Sequence, residues 1–116
     1  MEFKNFAETS DSRRHVALHI TGTVQGVFFR REAQREGIKL GLSGFVKNEP
    51  DGSVIAQALG GSAQVGAFIN WCRRGPAHAR VEEVRITELP LRSPHHETAS
   101  DEGHLNDEVP TFHIRY

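Results

Sequence analysis

One stretch, Thr21-Gly22-Thr23-Val24-Gln25-Gly26-Val27-Phe28-Phe29-Arg30, limits the possible folds more than any other part of the chain. The alternating apolar run Val16, Leu18, Ile20 leads into it, and the helix-like spacing Phe29, Ala33, Leu40 leads out. The chain must therefore pass from strand to helix through a short turn that contains two glycines. Glycine lets the backbone approach a ligand closely, and the start of a helix aims N–H groups and partial positive charge at one point. Arg30 adds a full charge in a planar fork that matches phosphate oxygens. These features predict an anion cradle suited to phosphate. The plainer alternative is a tight turn with one surface arginine.

The rest of the chain reads by the same rules. His15 to Thr21 alternates, with Val16, Leu18 and Ile20 on one face and His15, Ala17 and His19 on the other, as in a half-buried strand. Phe28 to Leu40 follows as a helix. Gly37 within it costs roughly 1 kcal/mol relative to alanine, an expense that close packing of helix on sheet would offset. Gly41 stands where a left-handed glycine ends a helix. Ser43 to Asn48 and Ser53 to Leu59 read as strands joined by the turn Glu49-Pro50-Asp51-Gly52, which makes a hairpin. Val54, Ala56 and Ala58 share one face of it and are small enough for helices to pack closely.

After Gly60-Gly61, Ser62 is placed to cap a second helix from Ala63 to Arg73. Its residues Val65, Phe68, Ile69 and Cys72 follow the spacing of one buried stripe, flanked by Trp71. Val81 to Leu89 forms a further strand with Val84 and Ile86 inward, and Thr111 to Tyr116 alternates as the last. Met1 to Arg13 is polar and reads as a flexible tail, which leaves 14–116 as a single domain. The segment from Pro90 to Pro110 is polar and aperiodic, as expected of a long mobile loop.

Composition excludes more than it assigns. A length of 116 residues suits one core, and a net charge of −1 gives no sign of a chain-wide nucleic-acid or membrane-surface footprint. Cys72 is the only cysteine, so no intramolecular disulfide can form and a reducing, cytoplasmic setting is expected. Its place on the helical stripe reads as a buried thiol rather than a nucleophile. No apolar run approaches the roughly 20 residues of a membrane span, and the start of the chain lacks the apolar core of a secretory signal. His95, His96 and His104 show no regular ligand spacing. No metal or cofactor is expected.

The element order is βαββαβ plus a C-terminal strand. It describes an α+β, ferredoxin-like α/β sandwich, with a mostly antiparallel sheet and two helices on one face. That architecture hosts many functions and names none.

Gly22-Thr23-Val24-Gln25-Gly26-Val27-Phe28-Phe29-Arg30 resembles the phosphate loop of acylphosphatases. Gly41-Leu42-Ser43-Gly44-Phe45-Val46-Lys47-Asn48, with the Asp51-Gly52 turn and Val54 after it, resembles their second motif. Phe112-His113-Ile114-Arg115-Tyr116 is similar to their C-terminal strand. The likeness runs from about Val16 to Tyr116, outside the tail and the long loop. Phe45 stands where many members carry tryptophan, which reads as a packing change.

The resemblance implies hydrolysis of a carboxyl–phosphate anhydride, with an acyl phosphate as substrate and inorganic phosphate as product. It assigns phosphate binding to Arg30 and water positioning to Asn48, with backbone N–H groups of Val24, Gln25, Gly26, Val27, Phe28 and Phe29 completing the cradle. The chemistry fits those residue types. An acyl phosphate is already activated, so the catalyst needs only to neutralise phosphate and place one water in line. Asn48 can accept from and donate to that water without acting as a base.

Two other readings have a physical basis. A non-catalytic acylphosphatase-like binding domain would keep the cradle without turnover. An RNA-binding module would need stacking aromatics and a basic sheet face, whereas the open strands offer His19, Ile55, Gln57 and Leu59. The expected state is a monomer that binds neither nucleic acid nor membrane.

Overall fold

Alternation and helical spacing translate into seven elements in a computed structural model that describes residues 12–91 and 110–116. The expected tail, apart from its last two residues, lies outside the described residues. So do nearly all of the expected loop and the histidines His95, His96 and His104.

Strand β1 spans Arg13–Thr23, helix α1 Phe29–Lys39, β2 Ser43–Asn48 and β3 Val54–Gly61. Helix α2 covers Ser62–Arg74, β4 Arg80–Glu88 and β5 Phe112–Arg115. The sheet order is β4-β1-β3-β2-β5. Every neighbouring pair is antiparallel except β2 and β5. This is the ferredoxin-like α+β sandwich that the element order describes, with the extra strand added at the β2 edge.

The period of two decides which side of each strand is buried. Val16, Leu18 and Ile20 of β1, Val46 of β2, and Val54, Ala56 and Ala58 of β3 are all at most 1% exposed. Phe29 and Ala33 of α1 and Val65, Phe68, Ile69 and Cys72 of α2 close over them. Phe68 meets Phe112 of β5 with ring centroids 5.3 Å apart. Val84 and Ile86 are only partly buried and pack against the edge of this core. Among the described residues, no helix is long and apolar enough to cross a membrane.

Helix α1 stops where the sequence indicates. Leu42 N–H donates to Gly37 O and Gly41 N–H to Ile38 O, both at 3.0 Å, with Gly41 at φ 72°. That pair of bonds is the Schellman arrangement, and it satisfies carbonyls the helix end leaves free. Gly37 is used as expected: a Cβ there would lie 2.4 Å from the Phe112 ring. The helix backbone therefore rests directly on β5.

Besides shifts of one or two residues at other element ends, three differences from the sequence reading have an identifiable cause. Phe28 does not belong to α1 but precedes it in the left-handed conformation, φ 66°. Its carbonyl accepts the first helical bond from Glu32 N–H at 3.0 Å, so the chain turns into the helix at this residue. Ser62 does not cap α2: Gly61 is the N-cap, with no side-chain cap bond. The cause is strand pairing, because β3 continues through Gly61 opposite Arg13, and Ser62 N–H donates to Ser12 O at 3.1 Å. That pairing also draws Arg13 into β1 instead of leaving it in the tail.

Candidate active site

The loop between β1 and α1 forms one wall of a pocket at the end of the sheet. The two glycines of the loop motif have different tasks. Gly22 lies within β1, where a Cβ would fall 2.2 Å from Arg80 O of β4, so it serves strand contact rather than a ligand. Gly26 has φ 77° and open space beside it, and it lines the pocket. There glycine supplies a backbone shape that an L side chain resists by roughly 1–2 kcal/mol.

The pocket holds about 380 Å³. Val24, Gly26, Phe28 and Phe29 of the loop line it, together with Arg30 and Arg31 at the start of α1. Asn48 at the end of β2, Ile114 of β5 and Tyr116 just beyond that strand complete the wall. The sheet register explains this meeting. Val46 and Ile114 are paired neighbours on β2 and β5, so two residues further on Asn48 and Tyr116 reach the same end of the sheet. Arg30 and Asn48, the two side chains picked from the sequence, face one cavity.

The electrostatics favour an anion. Helix α1 starts in this pocket without a side-chain cap, and the first N–H groups of any α-helix have no partner inside it. Those of Phe29, Arg30 and Arg31 occupy that position, at the positive end of the dipole. Arg30 is half-buried. Its Nη1 donates to Arg115 O at 3.4 Å, and its Cζ lies 4.7 Å from the Tyr116 ring centroid. Arg115 and Tyr116 thus brace the guanidinium on one side while leaving donors for a ligand.

Two loop residues from the sequence reading do not line the cavity with their side chains. Gln25 turns away and donates its amide to Glu49 O and Ser53 O, each at 2.8 Å. Val27 packs against the core cluster. The turn that Gln25 grips is itself well ordered by local bonds. Asp51 Oδ1 accepts from Ser53 Oγ at 2.6 Å and from Ser53 N–H at 2.9 Å, and the Ser53 hydroxyl foremost holds the Asp51 carboxyl below its ordinary range.

Sequence reasoning missed the Gln25 side chain, the Arg115 carbonyl and Tyr116. Alternation in Phe112, Ile114 and Tyr116 carried a signal for the last of these. The Gln25 contact is set by tertiary pairing and has no local signature.

Comparison with known proteins fits this geometry. The family model described as Acylphosphatase matches residues 16–99. The chain belongs to the acylphosphatase family. An acylphosphatase of Nocardioides sp. is 46% identical over 89 residues, 74% of this chain and 90% of the relative. One from Rubrobacter xylanophilus is 41% identical over 87 residues, 75% and 79% of the two chains. The solved structure of an acylphosphatase from Coxiella burnetii superposes with a TM-score of 0.71 at 28% identity, covering 93% of this chain and 98% of that one.

In this acylphosphatase, Cys72 is fully buried in the core. Burial, with a smaller contribution from Glu36, pushes its thiol well above the ordinary range. It has neither the thiolate nor the access that a nucleophile needs. Among the described residues, no group of three or more His, Cys, Asp or Glu could hold a metal ion.

Proposed function

We propose that this acylphosphatase hydrolyses acyl phosphates by in-line attack of one water on phosphorus, with Arg30 and Asn48 as its catalytic side chains. The observation that carries the proposal is their convergence: side chains 18 positions apart in sequence line one pocket with the uncapped start of α1. Arg30 makes paired, charge-assisted bonds to phosphate oxygens, and N–H groups of the Val24 to Phe29 loop hold the remaining oxygen. Asn48 accepts a hydrogen bond from the attacking water and fixes its direction.

The balance of the step is simple. Water oxygen forms a bond to phosphorus, and the bond from phosphorus to the acyl oxygen breaks. The carboxylate leaves with the electron pair. The water proton passes to a phosphate oxygen, which explains how a site without a general base in either motif can work. The reading takes the protein as a cytoplasmic monomer that uses no metal and acts on no nucleic acid.

The test is an assay of carboxylate and phosphate release from acetyl or benzoyl phosphate, with and without EDTA. Turnover that survives the chelator supports the proposal. Loss with EDTA and recovery with a divalent metal would contradict the metal-free route.

A further inference from the structure

Beside the phosphate pocket lies a second groove of about 340 Å³. Val27, Phe28, Trp71, Pro76 and Ala77 form most of its wall, with Glu32 and His78 as the polar members. Phe28 is shared between the two cavities, whereas Asn48 lines the phosphate pocket and not the groove.

The position of the groove follows from the sheet order. Asn48 ends β2, and the phosphate loop leaves β1, two places along in the order β4-β1-β3-β2-β5. The groove is built by that loop, the last turn of α2 and the connection from α2 to β4. It therefore lies on the far side of the cradle from Asn48. In-line displacement requires the attacking and leaving oxygens to be roughly opposite across phosphorus. A water held by Asn48 sends the leaving carboxylate, and the acyl group it carries, toward the groove.

Phe28 adds an independent observation. It is a phenylalanine with a left-handed backbone and 64% exposure, standing at the boundary of the two cavities. Strained residues that persist in a fold concentrate at ligand clamps, and an exposed ring gains from an apolar ligand laid against it. The groove volume falls at the small end of the range of about 300–1,000 Å³ for small-molecule sites, enough for one ring or a short branched chain. Glu32 is paired with Arg31 at 3.4 Å and Arg35 at 3.8 Å, and it is the mostly apolar wall that opposes an acyl group carrying a second carboxylate.

We propose that this groove is the acyl subsite, selecting substrates with a larger uncharged acyl group, one aromatic ring or a branched chain, over acetyl phosphate. The inference rests on the acyl-phosphate reading of the neighbouring pocket. Ala77 is exposed, so Ala77→Phe can fill the groove without repacking the core. The expected result is a fall of at least tenfold in the ratio of kcat/KM for benzoyl phosphate to that for acetyl phosphate. A ratio that moves less than twofold overturns the subsite while leaving the hydrolase reading intact. A wild type that hydrolyses neither compound overturns both.

Trp71 is the single tryptophan, which gives a measurement on the unmodified chain. A non-hydrolysable benzoylmethyl phosphonate should shift its fluorescence, and methylphosphonate should not. The same response to both, or no response to the aryl compound, contradicts the proposal.

Discussion

Gln25 donates its side-chain amide to the backbone oxygen of Glu49 at 2.8 Å, and the same nitrogen reaches Ser53 O at 2.8 Å. The loop between β1 and α1 is thereby tied to the turn that begins one residue after Asn48. On the roles proposed for Arg30 and Asn48, this one amide sets the distance between the group that binds phosphate and the group that directs water. Displacement of about 1 Å in such a geometry can cost on the order of 10²-fold in rate. Gln25→Ala should therefore lower kcat by about 10- to 100-fold. In an Asn48→Ala background the same change should have little further effect, because coupled residues are not additive. Full additivity of the two losses would show that Gln25 acts elsewhere.

Asn48→Ala should separate binding from turnover. In the proposed mechanism the side chain directs water and does not neutralise phosphate, so kcat should fall by about 10²-fold or more with KM changed little. Steady-state kinetics on one acyl phosphate decides this, and an unaltered kcat would remove Asn48 from the mechanism.

Gly37→Ala sets two effects against each other. Alanine is worth roughly 1 kcal/mol more than glycine inside a helix, yet its Cβ would meet the Phe112 ring at 2.4 Å. That ring is 4% exposed and packed on Phe68, so it has little room to move. Overpacking of this kind costs about 1–3 kcal/mol, and the variant should be less stable than wild type in urea unfolding. A gain in stability would mean that α1 can lift off β5 freely.

Cys72 should behave as a core atom. Burial raises its thiol pKa and closes off access, so iodoacetamide should label it in urea and hardly at all in the native protein. Cys72→Ala should keep catalytic activity while losing about 1–3 kcal/mol of stability. Rapid native labelling coupled to inactivation is the contrary result.

The legible parts of the fold were those that repeat locally. Period-two runs such as Val16, Leu18, Ile20 and the stripe Val65, Phe68, Ile69, Cys72 placed strands and helices, and Gly41 marked a helix end. What escaped depended on partners distant in sequence. The start of α2 moved to Ser62 because β3 pairs through Gly61 with Arg13. Phe28 left the helix because the chain needs a left-handed residue between Gly26 and Arg30, a shape that phenylalanine does not advertise. In the site, Arg30 and Asn48 could be picked by chemistry and resemblance, whereas the brace from Arg115 and Tyr116 exists only once β5 pairs with β2.

The most direct test of the phosphate cradle compares wild type with Arg30→Ala on one synthetic acyl phosphate, measuring hydrolysis together with inhibition by inorganic phosphate. A guanidinium that binds both substrate and product phosphate predicts that activity and phosphate inhibition are lost together. Phosphate inhibition that persists unchanged in the Arg30→Ala variant, or turnover that survives it, would contradict the account.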